Sequence, residues 1–124
     1  MQSHKDLTVW QKSMDLVVEV YKFTKTLPRE ELYGLSSQMR RASITIPNNI
    51  AEGYQRNHIK EYIQFLHIAK GSASEFETQL TIAKRLDLGL SQDLINVENL
   101  LTEVLKMLNK LTSRLNNKQL PPNP

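Results

Sequence analysis

Cysteine does not occur in the 124 residues. A disulfide framework, a thiolate metal site and a cysteine nucleophile are thereby excluded, and the chain suits a reducing, cytoplasmic setting. Long apolar runs are missing too. Apolar residues come in short clusters such as Val17-Val18 and Leu100-Leu101, so no segment has the length of a bilayer span or a signal-peptide core. Period-two alternation is confined to the brief Ser43-Ile44-Thr45-Ile46, so strands do not compete. The three histidines, His4, His58 and His67, are never three or four residues apart. With no Glu-x-x-His motif, a di-metal bundle site is not expected. No strand-turn-helix elbow or paired His-Asp arrangement supports a nucleophilic serine. The reading contains no catalytic residue, metal, cofactor or small-molecule substrate. An enzyme is the weakest of three readings, and a pocket joining Glu61, Glu75 and a histidine would revive it.

What is present is helical periodicity, over a length that fits one domain. A first helix is predicted over about Thr8 to Leu27. One seam is Leu7, Trp10, Met14, Val17 and Tyr21; a second is Val9, Leu16, Val20, Phe23 and Leu27. At 100° per residue the two lie roughly 110° apart, together covering about half of the helix. Asp6 or Thr8 is the expected cap, Trp10 is expected in the core, and Pro28 is the stop. A second helix runs from Leu32 or Ser36 to Arg56. A third starts after Asn57 and ends near Asp87, with the seam Tyr62, Leu66, Ala69, Ala73, Phe76, Leu80 and Ala83. A fourth follows Ser91 to about Asn117, with the seam Leu94, Val97, Leu101, Val104, Leu108, Leu111 and Leu115. Short connections make neighbours antiparallel. The expected fold is all-α: an up-down-up-down antiparallel four-helix bundle over residues 1–118, with a flexible tail at 119–124. The breadth of the first helix's apolar surface and the length of the third point to a homo-oligomer.

The segment Ser43-Ile-Thr-Ile-Pro-Asn-Asn-Ile-Ala-Glu-Gly-Tyr-Gln-Arg56 is unfavourable for a helix. Proline removes an amide donor and its ring presses on the carbonyl four residues back. Pro47 is therefore expected to bend the second helix, with the hydroxyls of Ser43 and Thr45 helping to satisfy the opened turn. Gly53 would let another backbone approach. Beyond the bend, Asn48, Asn49 and Glu52 either decorate a surface or face a neighbour.

Charge is mild, net +3, but unevenly spread. From Val104 onward there are four cations, Lys106, Lys110, Arg114 and Lys118, and no acid; residues 1–103 sum to −1. The four-residue spacing places these cations roughly opposite Leu108, Leu111 and Leu115. They form either a solvated face at a helix C-terminus or a phosphate-tracking stripe. No aromatic interleaves them, so stacking on bases is not indicated there. Arg40 and Arg41, about 100° apart on a helix, are not expected to share one task. One of them could pair with a carboxylate of the third helix, where Glu61, Ser72, Glu75 and Gln79 form a polar line; the alternative is phosphate contact. The small residues Gly71 to Ser74 favour close helix packing.

Three blocks carry a resemblance over roughly residues 6–90: LTVWQKSMDLV, YGLSSQMRRASITIPNNIAEGYQR and EYIQFLHIAKGSASEFETQL. They resemble the four-helix-bundle proteins encoded in intervening sequences of bacterial 23S ribosomal RNA genes, often labelled the S23 ribosomal protein family. The family's usual serine after the proline is Asn48 here. The resemblance marks Pro47, Asn49, Glu52, Gly53, Glu61, Ser72 and Glu75 as structural signature positions. It implies a ring-like oligomer, commonly of five subunits. The chain is also similar to accessory proteins of diversity-generating retroelements, barrel pentamers with a basic surface that bind nucleic acid and contact a reverse transcriptase. The first reading is accordingly a non-enzymatic oligomeric bundle that binds RNA or a ribonucleoprotein through Arg40, Arg41, Lys106, Lys110, Arg114 and Lys118. The second is a protein–protein scaffold or accessory subunit without nucleic-acid binding.

Overall fold

The computed structural model describes residues 3–119. Among them are four helices and no strand: α1 Thr8–Thr24, α2 Leu35–Tyr54, α3 Ile59–Arg85 and α4 Ser91–Gln119, with single 3-10 turns at His4–Asp6 and Arg29–Glu31. Each long helix packs on two others. α1 packs beside α2 and α4, α3 packs beside α2 and α4, and the backbones of the pairs α1/α3 and α2/α4 stand further apart. The cross-section is therefore a square with those pairs at opposite corners. Most of the segment expected to be a tail, residues 120–124, lies outside the described residues.

The second α1 seam is the core seam. Leu16, Val20 and Phe23 are fully buried, and Val9 and Leu27 nearly so. Of the first seam only Leu7 is buried; Trp10, Val17 and Tyr21 are half-buried on the flank, and Met14 is exposed. Trp10 packs edge-on to His4, ring centroids 5.1 Å apart, rather than in the centre. From the other helices come Met39, Ile46 and Ile50 of α2, Leu66, Ala73 and Phe76 of α3, and Val97, Val104 and Leu108 of α4, all fully buried. The seams of α3 and α4 hold throughout, with only Tyr62 and Leu111 half-exposed.

Helix ends differ from expectation where backbone geometry supplies what side chains were expected to supply. Asp6 accepts from the Ser3 N–H (3.4 Å), and Ser3 Oγ accepts from the Lys5 N–H (3.2 Å). That closes the 3-10 turn, while α1 itself starts at Leu7 without a side-chain cap. His58, not Asn57, precedes α3, again without one. Ser91 is the first residue of α4 rather than its cap. α1 stops at Thr24, and 3-10 bonds from Thr26 to Phe23 O (2.9 Å) and Leu27 to Thr24 O (3.2 Å) unwind it before Pro28. α3 ends in a Schellman motif: Leu88 N–H donates to Ala83 O (2.9 Å) and Asp87 N–H to Lys84 O (3.1 Å), with Asp87 in the left-handed region at φ 56°.

α2 stays helical through Pro47, which is buried. The carbonyl that Pro47 deprives of a donor is that of Ser43, yet the neighbouring hydroxyls serve other atoms. Ser43 Oγ donates to Arg40 O (2.9 Å) and Thr45 Oγ1 to Arg41 O (2.9 Å).

Candidate nucleic-acid interface

On α4 the apolar seam fixes the helix's rotation, and the cations fall on the side left over. Lys106, Lys110, Arg114 and Lys118 are all exposed. A four-residue step overshoots the 3.6-residue turn by about 40°, so the row winds from opposite the seam toward its flank. None of the four forms an ion pair among the described residues. By contrast, Lys12 of α1 meets Glu103 (3.5 Å) and Lys84 of α3 meets Glu98 (3.3 Å) further up α4. Glu98 and Glu103 of α4 are thus engaged with cations of other helices, and its last turns carry positive charge with no acid among them.

Arg40 does not pair with the acids of α3. It turns to α1, where its Nε donates to Thr24 Oγ1 (2.8 Å) and its guanidinium lies 4.6 Å from the centroid of Tyr21. The Thr24 hydroxyl in turn donates to Val20 O (2.9 Å). This is why a threonine is buried at the end of α1. The guanidinium is held by one nitrogen and a ring face, and its terminal nitrogens make no bond among the described residues. Arg41 is exposed, with no ion pair among the described residues. Although about 100° apart on the helix, both arginines border one cavity of about 570 Å³, with Tyr21, Tyr33, Ile44 and Asn48. The groove is wide and both side chains are long, so the angle between them does not keep them from lining the same cavity.

The signature residues are mainly packing and backbone devices. Asn49, half-buried, donates its amide to Thr45 O (2.8 Å) on its own helix. Glu52 is exposed and pairs with Arg56 (3.6 Å), whose guanidinium lies 4.9 Å from the centroid of Phe65. A Cβ on Gly53 would meet Phe65 Cβ at 2.8 Å and Tyr62 Cδ1 at 3.0 Å, so glycine is what lets α3 sit this close. Ser72 is buried, Glu61 half-buried and Glu75 exposed; Glu75 accepts from Gln79 Nε2 (3.3 Å). The Tyr62 hydroxyl is buried without a partner among the described residues, and burial, with Tyr54 nearby, pushes its pKa up to about 12.

Arg40 and Arg41 are therefore brought together, and the α4 row is held apart from them, since α2 and α4 occupy opposite corners of the square. Sequence reasoning missed Tyr33, an exposed ring in the α1–α2 connection, and the cations Lys25 and Arg29 beside it. The signal was an aromatic within a short polar connection, where folding has no use for one. Of the large apolar side chains left exposed, Met14 and Val18 form a patch on α1, and Ile68 and Ile82 an extended one along one side of α3; Leu32, Ile59, Leu86, Leu90 and Ile95 are exposed elsewhere. Among the described residues no group of three His, Asp or Glu side chains could hold a metal, and no helix is long and apolar enough to cross a membrane.

The sequence profile of a family described as "23S rRNA-intervening sequence protein" matches residues 5–110. A similar solved structure is that of a protein with unknown function from the S23 ribosomal protein family of Bacteroides thetaiotaomicron VPI-5482. It is 27% identical, the match covers 85% of this chain and 95% of that one, and the TM-score is 0.77. No curated protein sequence matches significantly.

Proposed function

The chain belongs to the 23S rRNA-intervening sequence protein family, and from that premise we propose a non-enzymatic, cytoplasmic, ring-forming helical bundle that binds RNA or a ribonucleoprotein through its basic surfaces. The observation that carries the reading is the α4 row: four exposed cations without carboxylate partners among the described residues, on a chain otherwise net negative. Free cations release counterions when they meet a polyanion, and a ring multiplies a weak four-charge surface by its copy number.

The bundle is up-down-up-down and antiparallel in this reading. In its support, Lys12 reaches Glu103 while Thr26 Oγ1 accepts from Leu90 N–H (3.0 Å), so numbering falls along α4 as it rises along α1. Ring assembly draws on the two apolar patches. They lie on α1 and α3, at opposite corners, and they differ from each other. Two unlike patches suit a head-to-tail contact, which closes into a ring when the rotation allows; a two-fold dimer needs one self-complementary patch. Five subunits is the expected number.

The deciding experiment is native mass spectrometry on protein purified without nuclease, with the ratio of absorbance at 260 and 280 nm recorded on the same sample. A discrete ring mass with co-purifying RNA is expected. Replacing Lys106, Lys110, Arg114 and Lys118 by Gln should leave folding intact and reduce the salt dependence of RNA binding by about three log units per log unit of salt per subunit. Unchanged affinity at low salt would remove the row from the interface. A ring free of RNA, with no RNA affinity at low salt, would favour the protein–protein scaffold.

A further inference from the structure

We infer that the groove between α1 and α2 is a docking site for an unpaired nucleotide of single-stranded RNA, its base stacked on Tyr33 and its phosphates held by Arg40 and Arg41; this inference rests on the RNA-binding reading above. Two cavities meet there, about 570 and 250 Å³, sharing Leu32 and Arg40. The larger falls within the roughly 300–1,000 Å³ range of ligand sites. Lys25 and Arg29 border the smaller one. Four cations thus surround the joined groove, and none forms an ion pair among the described residues. No carboxylate lines either cavity. Of the adjacent acids, Glu30 is exposed and lines neither cavity, and Glu31 is turned to the start of α2, where its Oε2 accepts from Leu35 N–H (3.4 Å). The electrostatics therefore favour an anion.

Charge alone would suit any polyanion; the aromatic decides the class. Tyr33 is 94% exposed, in a connection where Leu27 is the residue that reaches the core. Its ring contributes nothing to the core, and a flat exposed ring beside arginines is the platform on which single-stranded bases stack. Duplex RNA hides its base faces, so the platform would be unused by a helix. Arg40 is already positioned by Tyr21 and Thr24, so little freedom is lost when its terminal nitrogens meet a phosphate. Asn48, exposed at the far edge, supplies an amide able to bond a base edge.

The test is fluorescence anisotropy with a short labelled single-stranded RNA, a self-complementary RNA folded as a hairpin whose loop is a non-nucleotide linker, and polyglutamate as competitor. The wild-type chain is compared with Tyr33→Ala, Arg41→Gln and the α4 quadruple Gln variant, with native mass spectrometry of each. Tyr33→Ala should weaken single-strand binding about 5- to 100-fold and leave hairpin binding and subunit number unchanged. Arg41→Gln should weaken it and lower the salt slope by about 0.7. Single-strand and hairpin binding that are equal and indifferent to Tyr33→Ala would overturn the inference while sparing the RNA reading. So would equal displacement by polyglutamate at matched charge, or a change of subunit number in Tyr33→Ala, which would make the groove a subunit contact. No RNA binding at low salt by any form would remove both readings.

Discussion

Gly53 and Gly71 occupy helices of similar make-up and have opposite meanings. At Gly53 an added methyl meets Phe65 and Tyr62; at Gly71 nothing stands within 4 Å of it. Gly53→Ala should therefore destabilise the fold by about 1–3 kcal/mol through overpacking. Gly71→Ala should stabilise it by about 0.5–1 kcal/mol through helix propensity alone. Urea unfolding of the two variants measures both. The sequence proposed close approach for Gly53, because a glycine late in a helix needs a reason. It offered no way to see that Gly71, among the small residues taken as tight packing, faces solvent. Beside Gly53, Tyr62 gives a pH signature. Its pKa is raised from an ordinary 10.0 to about 12 by burial, so the unfolded chain loses that proton first. Stability from this group is intact below pH 10 and falls as pH rises from about 10 toward 12. Tyr62→Phe should flatten that fall and, because the hydroxyl has no partner among the described residues, cost little at neutral pH.

At the scale of elements, α4 separates packing from charge most cleanly. Leu108 is fully buried, and Leu108→Ala should cost about 2–5 kcal/mol. Lys106→Gln, two residues away on the exposed side, should change stability by less than about 0.5 kcal/mol. Chemical denaturation with circular dichroism distinguishes them. α4 was legible because seven positions repeat at heptad spacing with nothing to contradict them. α1 was half-legible. Two apolar seams could be drawn on it, and one helix cannot reveal which seam its neighbours will choose. α2 was legible in extent but not in detail. The loss of a donor at Pro47 follows from proline's ring, whereas the carbonyls chosen by Ser43 and Thr45 depend on rotamers that sequence does not specify.

At the scale of the whole molecule, the two uncovered apolar patches predict how an assembly would come apart. Met14→Glu with Val18→Glu removes the α1 patch, and Ile68→Glu with Ile82→Glu removes the α3 patch. Each variant alone should be monomeric in native mass spectrometry. Mixed together they should form one-to-one pairs, because each retains the half that the other lacks. Failure to pair on mixing, or dissociation by only one set, would point to a two-fold contact instead. Val18 and Ile68, each about half-exposed at 54% and 51%, are the sensitive positions.

The sequence by itself determined that the described chain is helical, roughly where its four helices lie, which faces of α3 and α4 turn inward, and the family to which it belongs. Those properties are local or periodic: a repeat of three and four residues fixes a face whatever the partner. The tertiary structure decided what depends on two helices at once. It chose between the seams of α1, turned Arg40 to Thr24 and Tyr21 instead of to an acid of α3, and joined Arg41, Tyr33 and Asn48 around one groove. It also placed the α4 row at a different corner from that groove. Such pairings depend on rotation and register between helices, set by the packing of the whole core rather than by any one segment's pattern.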